Sequence, residues 1–454
     1  METPDMSDKR DPMRVAVIGA GPSGIFAVGD LLRSGQVDAV DVYDKLPAPY
    51  GLVRYGVAPD HLKIKSVSQK FHKILSDERV RFFGNVEYGV DITRADLDAM
   101  YHTTIVSAGC PGNRKLDLPG EELRGSIAAS SFVSWYNGHP DAPEALEMRH
   151  GAVAVIGAGN VSLDIARIIM KGASGLADTD IPPHVLRILD ITEIHTVHIV
   201  ARRGLKDAKF SFAELLEFDS LPGVNIVVDE KDLPSDNSED LPPASQMTLD
   251  LFRKWARTNP EGAGRRIHFH FGYQPTAIRG TRAVEALDLR GTDTGTVNPA
   301  DELNTVSLAV SMVIRSVGFR GLPLADLPFD RESATIPHTQ GRIVEPNSLT
   351  DRLPWYVTGW LKRGPQGIIG TNKVCANETV RTLLSDQGEK EDLPALHSPQ
   401  PEAIYDVLTT RNVQWVSWDA WDRIDAREVE LGQASGRPRV KLNRREHLLE
   451  AARP

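Results

Sequence analysis

The chain has 454 residues, of which 41% are hydrophobic and 25% charged, a composition that fits a soluble α/β protein of two or three domains. Its net charge of −10 argues against nucleic acid as the main partner, and its apolar runs are too short to span a membrane. The two cysteines, Cys110 and Cys375, exclude a disulfide framework, a four-cysteine metal or iron–sulfur site and a Cys-x-x-Cys dithiol, so we expect a cytoplasmic protein.

The first predicted elements are a strand, a glycine-rich loop and a helix in direct succession. The apolar run 15–18 predicts the strand, and the loop 19–24 that follows it has the G-x-G-x-x-G pattern. Gly19 allows the tight turn, Gly21 lets the backbone approach a pyrophosphate, and Gly24 lets the helix pack closely on the strand. The N–H groups at the start of the helix then offer a site for the diphosphate.

An acidic residue ends the strand that follows this helix. Asp44 stands 20 positions after Gly24, where the dinucleotide fingerprint places a carboxylate that binds ribose hydroxyls. A carboxylate favours a free 2′-hydroxyl over a 2′-phosphate, so the first site fits FAD or NAD and not NADP. Two further strand candidates lie between residues 80 and 110, and the second of them ends on small residues at Gly109.

A second strand, glycine loop and helix begin 138 residues later. Gly157 and Gly159 occupy the first two glycine positions of the fingerprint, and the small Ser162 replaces the third. The separation is too long for a solenoid repeat and fits two separate domains.

The second unit lacks the acidic residue that marks the first. Its next strand, 196–200, leads instead into Arg202 and Arg203. Two guanidinium groups at this position suit a 2′-phosphate, because they form charge-assisted and often bidentate hydrogen bonds. The sequence therefore predicts NADP(H) as the ligand of the second site and FAD as the ligand of the first.

The remainder of the chain adds helix, strand and loop candidates. The pattern predicts a helix over 247–258 and one continuous strand over 306–314. The segment 351–371, rich in glycine, tryptophan and proline, predicts a strand followed by a functional loop. Strands and helices alternate along most of the chain, which is typical of parallel sheets.

Two long motifs resemble those of adrenodoxin-reductase-like ferredoxin–NADP⁺ reductases. They are LPAPYGLVRYGVAPDH at 46–61 and GWLKRGPQGIIGTN at 359–372. The loop 157–161 and the run 202–204 are similar to the same family, and the resemblance extends from about residue 14 to about residue 442. It implies an α/β fold with two Rossmann-like dinucleotide-binding domains, in the three-layer arrangement of the glutathione-reductase type.

The resemblance also implies a domain order and an activity. An NADP-binding domain, 110–319, would be inserted into a discontinuous FAD-binding domain formed by 1–109 and 320–454. Hydride would pass from NADPH to FAD, and single electrons would then pass to a ferredoxin-type iron–sulfur protein in a transient, electrostatic complex. A flavin suits this conversion because it is stable in three redox states.

Matching positions carry the family's site residues over to this chain. His61 and Glu217 match a pair near the flavin that either handles protons or only positions Asp60 or the nicotinamide amide. Trp360 is either a nicotinamide neighbour or a core aromatic. The expected cofactor-binding residues are Gly19, Gly21, Ser23, Gly24, Asp44, Lys45, Gly51, Leu52, Val53, Gly109, Arg114, Gly159, Asn160, Val161, Arg202, Arg203, Glu214, Gly359, Trp360, Gly367, Ile368 and Ile369.

Several alternatives stay open at this stage. The run Leu205-Lys206-Asp207 stands where the family commonly has Pro-Leu-Gln, which leaves open how strongly NADPH is preferred over NADH. One other reading is an electron-input flavoprotein subunit like the small subunit of glutamate synthase, which normally adds a cysteine-rich iron–sulfur segment. Another is a non-catalytic sensor that binds both nucleotides. The sequence leaves the oligomeric state open, and a monomer is compatible with it.

Two further groups of side chains admit two readings each. The first group is basic and forms either a docking face for an acidic ferredoxin or an ordinary solvated surface. Its members are Arg253, Lys254, Arg257, Arg265 and Arg266. His268 and His270 share a strand face at spacing two, as some metal-binding pairs do. No third ligand is evident from the sequence, so we predict no metal site.

Overall fold

The computed structural model describes residues 13–234, 243–258, 264–292, 305–345, 353–388, 396 and 400–454. Within these ranges the strands, numbered in chain order, are β1 (Arg14–Ile18), β2 (Ala39–Asp44), β3 (Val80–Gly84), β4 (Thr103–Val106), β5 (Gly112–Asn113), β6 (Ser126–Ala128), β7 (Gly151–Ile156), β8 (Ile194–Ala201), β9 (Val224–Val228), β10 (Arg265–Phe271), β11 (Tyr273–Arg279), β12 (Ala286–Gly291), β13 (Thr305–Ala309), β14 (Met312–Arg315), β15 (Phe319–Arg320), β16 (His338–Thr339), β17 (Arg342–Ile343) and β18 (Tyr356–Val357).

The α-helices of the same ranges lie mostly between consecutive parallel strands. They are α1 (Pro22–Ser34), α2 (Leu52–Tyr55), α3 (Leu62–Lys65), α4 (Val67–Leu75), α5 (Arg94–Met100), α6 (Ala129–Tyr136), α7 (Asn160–Lys171), α8 (Pro183–Ile191), α9 (Phe212–Asp219), α10 (Pro243–Arg257), α11 (Trp360–Arg363), α12 (Ile369–Gly388), α13 (Ala403–Thr410), α14 (Trp418–Gln433) and α15 (Arg445–Ala451).

The first sheet combines strands from the two ends of the chain. Its order is β16-β17-β18-β4-β1-β2-β3, and the strands from β18 to β3 are parallel. Val15 and Val17 of β1 are fully buried, since both faces of such a sheet are covered, and this explains why its strands are continuously apolar. Strand β1 has β2 on one side and β4 on the other, so its carboxyl end lies at a switch point, where α/β sheets bind ligands.

The second sheet repeats this arrangement in the middle of the chain. Its order is β6-β14-β7-β8-β10-β9, and all neighbouring strands are parallel. Strand β7 lies between β14 and β8, so the second glycine loop also leaves from a switch point. Helices α6, α7, α9 and α10 cover one face of the sheet and share with it an apolar cluster that includes Leu163, Ile199 and Phe252.

A small antiparallel sheet, β11-β12-β13, covers the other face of the second sheet. Here the predicted continuous strand over 306–314 is wrong, because β13 ends at Ala309 and belongs to the small sheet, whereas β14 begins at Met312 in the parallel sheet. Between them the N–H group of Ser311 donates to the carbonyl of Ala152, 2.8 Å away. Leu308 in β13 and Met312, Val313 and Ile314 in β14 are buried, so apolar residues occur on both sides of the break and the sequence carried no signal for it.

The chain passes between the two large sheets at two points that lie side by side. The outgoing segment forms β5 and the returning segment forms β15, and these two short strands pair with each other in antiparallel fashion. The domain boundaries predicted at 109/110 and 319/320 fall in these connections and stay predictions.

Helix packing joins the distant parts of the first sheet's layer. Helix α1 packs against α12, and Ile25, Val28 and Val380 belong to one buried cluster. The helix predicted over 247–258 is α10, which begins earlier, at Pro243, and ends at Arg257. Across the described ranges, no helix combines the length and apolar character that a membrane crossing requires.

Candidate active site

The first glycine loop is packed so tightly that side chains would not fit. Gly19 adopts φ +104°, and a Cβ atom there would lie 2.6 Å from the carbonyl oxygen of Ser107. A Cβ atom at Gly24 would lie 2.1 Å from the carbonyl oxygen of Gly19. The N–H group of Gly19 donates to the carbonyl of Tyr43 at 2.6 Å, which anchors the loop to β2. Gly21 has no side chain to cap α1, so the first N–H groups of that helix are available to an anion.

Both long motifs meet the glycine loop at the start of α1. A Cβ atom at Gly51 would lie 2.9 Å from the Cα of Gly21. Gly359 adopts φ +75°, and a Cβ atom there would lie 2.3 Å from Ser23 Oγ. Ser23 Oγ in turn donates to Asn372 Oδ1 at 2.9 Å. Residues separated by more than 300 positions thus form one crevice at the carboxyl end of β1.

Asp44 ties the glycine loop to the end of β2. Its carboxylate accepts hydrogen bonds from the N–H groups of Ala20 at 2.8 Å and Leu46 at 2.9 Å. Burial raises the pKa of this carboxyl group. Each carboxylate oxygen has a second lone pair, so these bonds are compatible with the predicted contact to ribose. Lys45 follows with an exposed side chain.

Other predicted residues lie along the same crevice. Leu52 begins α2 next to Gly51 and is 42% exposed, whereas Val53 is buried. Gly109 follows β4 in the left-handed region, at φ +74°, and no described atom comes within 4 Å of a Cβ position there.

The motif at 359–372 adds apolar side chains beside the start of α1. Trp360 is half-buried, and its ring lies against that of Phe319 with centroids 5.2 Å apart. Gly367 adopts φ +84°, and a Cβ atom there would lie 2.7 Å from Thr371 Oγ1. This bend leaves the side chain of Ile368 72% exposed before α12 begins at Ile369.

Arg363 completes this crevice, and sequence reasoning gave it no role although it lies inside the motif. Its Nη2 donates to Asn372 Oδ1 at 2.9 Å. Its Nε and Nη1 are buried without a hydrogen-bond partner among the described residues. Buried donors of this kind need an acceptor, and a phosphate or flavin oxygen would provide one. The residues present therefore fit an anionic dinucleotide.

The second glycine loop has the same form at the end of β7. Gly157 adopts φ +134°, and a Cβ atom there would lie 2.3 Å from the carbonyl oxygen of Ser316. Gly159 precedes α7, and Val161 lies in the first turn of that helix. Asn160 Oδ1 accepts a hydrogen bond from the N–H group of Ser211 at 2.8 Å, which ties the loop before α9 to the start of α7.

The predicted arginines lie at the carboxyl edge of the second sheet. Arg202 and Arg203 directly follow β8, their side chains are exposed, and the carbonyl of Arg203 accepts from the N–H group of Gly272 at 3.2 Å. The N–H group of Arg114 donates to the carbonyl of Gly318, just beyond β14, at 3.1 Å. The structure thus gathers the three residues at the edge that holds the second glycine loop.

The segment that departs from the family pattern forms a short 3-10 helix, Leu205–Asp207. Leu205 is buried in the core of the second sheet's layer, and the side chain of Lys206 is exposed. The backbone after the arginines is therefore anchored by an apolar side chain instead of a proline ring.

His61 and Glu217 come into contact across the two halves of the molecule. His61 is the last residue of the first long motif, and its Nε2 is 3.1 Å from each carboxylate oxygen of Glu217 on α9. Its Nδ1 is 3.9 Å from Asp164 Oδ1, and Glu214 Oε2 is 3.6 Å from Nε2. An ionised carboxylate only accepts hydrogen bonds, so the tautomer of His61 that carries its proton on Nε2 is the one that can donate to Glu217.

Glu214 was predicted to contact NADP, and the structure places it in this acidic group. Sequence reasoning missed the cation at its centre, Arg167. This side chain has no exposed surface, and its guanidinium lies 2.8 Å from Asp60, 2.7 Å from Asp164, 3.4 Å from Glu214 and 3.2 Å from Glu217.

Lys171 adds a second cation to the group, 2.8 Å from Asp60. Asp60 thus takes its hydrogen bonds from Arg167 and Lys171, which lie one turn apart on α7. Their spacing of four residues puts both side chains on one face of α7, but nothing local in the sequence pointed from that face to Asp60.

The pKa values in this acidic group are pushed in opposite directions. Burial raises the pKa of Asp164 and that of Glu214. Burial also acts on Asp60, but hydrogen bonds and charge from Arg167 and Lys171 outweigh it and lower the pKa of that carboxyl well below its ordinary value. Neighbouring carboxyl groups with divergent proton affinities are typical of sites that handle protons.

The basic residues considered for docking fall into two places. Arg253, Lys254 and Arg257 lie on α10, where Lys254 Nζ is 2.6 Å from Asp219. Arg265 and Arg266 begin β10, at the amino end of the second sheet, and Arg265 donates to the carbonyl of Met170. The two arginines of β10 therefore lie at the edge of the sheet opposite the glycine loop.

Known proteins resemble this chain over nearly its whole length. No family model matches the chain. It is 41% identical over 449 residues to the NADPH-ferredoxin reductase FprA of Mycobacterium tuberculosis, an alignment that covers 95% of this chain and 97% of the relative. It is 34% identical over 464 residues to the mitochondrial NADPH:adrenodoxin oxidoreductase of Arabidopsis thaliana, covering 97% of this chain and 95% of the relative.

A solved structure shares the same architecture. Mycobacterium tuberculosis FprA in complex with NADPH matches with a TM-score of 0.88 and 40% sequence identity, and the match covers 97% of this chain and 99% of that chain. The resemblance drawn from the two long motifs is therefore confirmed, as is the predicted fold class.

Proposed function

The chain belongs to the family of NADPH–ferredoxin reductases, and we propose that it passes electrons from NADPH through a bound FAD to a ferredoxin-type iron–sulfur protein. One observation carries the proposal for this chain: two glycine loops of dinucleotide-binding form lie at the carboxyl ends of two separate parallel sheets. When bound, FAD takes up a hydride and releases its electrons one at a time.

The crevice at the end of β1 is the part that would hold FAD. The N–H groups at the start of α1 bind the diphosphate, and Asp44 binds the ribose. Leu52 and Ile368, both partly exposed, provide apolar surface for the ring system, and the buried guanidinium of Arg363 donates to an oxygen of the cofactor. The backbone N–H group of Gly367 stabilises negative charge on the ring, whereas that of Gly359 donates to Cys375 Sγ, 3.3 Å away.

The edge after β7 and β8 would hold NADPH. The start of α7 binds the diphosphate, as α1 does in the first site. Arg202 and Arg203 bind the 2′-phosphate and so favour NADPH over NADH. Asn160, which fixes the loop before α9, positions the second glycine loop for the same ligand.

His61 and Glu217 handle a proton between the two sites. His61 is the last residue of the FAD-side motif and Glu217 lies on the helix α9 beside the second sheet, so the pair spans the region between the two nucleotides. The Nε2–H of His61 is held by Glu217, and a proton can pass along this hydrogen bond. The alternative role of positioning Asp60 is filled by Arg167 and Lys171.

The iron–sulfur partner docks in a transient, electrostatic complex. Arg253 and Arg257 on α10 offer positive charge that an acidic protein would meet. Cys110 and Cys375 are both free and buried, in keeping with a reducing compartment, and we place the protein in the cytoplasm.

An anaerobic titration with NADPH and then NADH, followed by the visible absorbance of the flavin, tests the proposal. We expect a yellow protein that NADPH bleaches at a much lower concentration than NADH does. Replacing Arg202 and Arg203 by alanine should raise the NADPH requirement about tenfold for each charge-assisted hydrogen bond lost, with no change for NADH. Arg266→Ala serves as the control, because that arginine lies at the far edge of the sheet.

Other outcomes of the titration contradict specific parts of the proposal. Equal reduction by NADH would contradict the role of the two arginines. A flavin-replete protein that neither nucleotide reduces would contradict the enzyme activity and favour a sensor.

Docking is tested separately by reversing charge on α10. Arg253→Glu together with Arg257→Glu should slow ferredoxin reduction at low ionic strength and flatten its salt dependence, because charges at the rim of an interface act mainly on the association rate. Arg266→Glu is the matched control, and flavin reduction by NADPH should be unchanged in all variants. Unaltered ferredoxin kinetics at low salt in the α10 variant would rule out this docking face.

A further inference from the structure

Three histidines converge on one face of the second sheet, and none of them belongs to the two glycine loops. His268 and His270 lie two residues apart on β10, and His198 lies on the adjacent strand β8, paired in register with His268. Side chains of a strand alternate between faces, so the two histidines of β10 share a face. His198 Nδ1 is 2.9 Å from His270 Nε2, and the rings of His268 and His270 have centroids 4.0 Å apart.

We propose that His198, His268 and His270 bind a divalent transition-metal ion, with Zn²⁺ as the ion that the geometry fits best. Each imidazole offers one ring nitrogen, and the three nitrogens lie within 4.8 Å of one another. Two nitrogens bound to tetrahedral zinc at the usual bond length lie about 3.3 Å apart. His198 Nδ1 and His270 Nε2, which are 2.9 Å apart, can therefore bind an ion after small movements of the two rings.

A carboxylate stands where a fourth ligand is needed. Asp229 follows β9, the strand next to β10, and its Oδ2 is 3.9 Å from His268 Nε2. That nitrogen is buried and has no hydrogen-bond partner among the described residues. The side chain of Asp229 is 46% exposed, which gives an ion a path from solvent.

The donor set selects the class of ion. Imidazole nitrogens with one carboxylate suit Zn²⁺, Cu²⁺ or Ni²⁺, whereas Mg²⁺ and Ca²⁺ prefer oxygen ligands. A site with three histidines and one carboxylate is closed, as structural zinc sites are.

The ion would join three parallel strands of the sheet that carries the NADPH site. Arg202 lies just beyond the end of β8, four residues or about 13 Å from His198, and none of the residues assigned to the nucleotide is a ligand of the ion. It would act by holding β8, β9 and β10 together, without taking part in electron transfer. This inference goes beyond the proposed function and does not depend on it.

Zinc binding by the FAD-loaded, untagged protein tests the site. After treatment with a chelator, we expect titration calorimetry to give one Zn²⁺ per chain and Co²⁺ to give the visible absorption bands of a tetrahedral site. His268→Gln should raise the Kd for Zn²⁺ at least about 100-fold, because loss of a mere outer-shell partner already costs 10- to 100-fold. His195→Gln is the matched control on the same strand, since His195 is exposed and lies outside the cluster.

Two further variants keep the result unambiguous. His61, Glu214 and Glu217 also lie close enough to hold an ion, so His61→Gln shows whether zinc binds there instead. Asp229→Asn changes an exposed side chain and should raise the Kd about tenfold even if His268→Gln fails to fold. Absence of zinc binding, or binding that His61→Gln abolishes and His268→Gln leaves intact, would overturn the proposal.

Discussion

Replacing Arg167 by methionine tests whether one buried cation holds the acidic group at the active site together. Its guanidinium has no exposed surface and lies 2.7 to 3.4 Å from the carboxylates of Asp60, Asp164, Glu214 and Glu217. Methionine keeps much of the apolar volume and removes the charge and all five donors. The four carboxylates would then lose the cation that they share.

The loss of stability expected for Arg167→Met follows from the charges around Arg167 and from its burial. With His61 neutral, four carboxylates face the two cations Arg167 and Lys171, and the variant leaves a single cation for all four. Removing one partner of a buried ion pair costs about 3–5 kcal/mol. A unit of 150–250 residues, such as the predicted domain 110–319 that contains Arg167, loses about 2–4 °C per kcal/mol, so its thermal midpoint should fall by about 6 °C or more at pH 7.5.

The loss of stability in Arg167→Met should become smaller as the pH falls. The pKa of Asp60 is lowered in the folded protein, so its contribution to stability is present at neutral pH and disappears as pH falls through the folded value. The pKa values of Asp164 and Glu214 are already raised by burial, and without Arg167 they should rise further. Protonation of these two groups removes negative charge that the variant no longer neutralises. The difference in thermal midpoint between variant and wild type should therefore become smaller from pH 7.5 to pH 5.5.

Thermal unfolding followed by circular dichroism at the two pH values measures this gap. Arg266→Met is the control, because replacing an exposed guanidinium usually changes stability by no more than about 0.5 kcal/mol. A variant as stable as this control at pH 7.5, or a gap that widens at pH 5.5, would refute the reasoning.

Two other predictions concern the cofactor crevice and the proton pair. Gly359→Ala should lower the FAD-to-protein ratio on purification, since its Cβ would lie 2.3 Å from Ser23 Oγ; Gly364→Ala, at a similar φ but with no described atom within 4 Å, should keep the FAD. His61→Gln and Glu217→Gln should change the pH profile of kcat in the same way, because either one breaks the same hydrogen bond. Different profiles in stopped-flow flavin reduction would show that the two side chains act separately.

The local motifs were predictable because each depends on residues that are close in sequence. A turn that requires positive φ at Gly19 or Gly157 selects glycine wherever the rest of the chain goes. The arginines after β8 could be assigned for the same reason, since a strand that ends at a glycine-loop edge places the next residues there.

Only some residues of the acidic group could be predicted from the sequence. His61 and Glu217 were found through a resemblance, whereas Arg167 looks like an ordinary helix residue in the sequence. Its role arises because α7 packs against the segment that carries Asp60, 107 positions away in the chain. No local pattern reports such a contact.

By itself the sequence determined the two glycine-loop units and the family, because glycine turns, apolar strands and long motifs are local properties of the chain. The tertiary structure alone decided which side chains share a charge or a ligand. It placed Arg167 among four carboxylates, left two nitrogens of Arg363 buried beside the first glycine loop, and brought His198 next to His270. These contacts depend on which strands and helices are neighbours in space, and parallel sheets make neighbours of segments that lie far apart in the sequence.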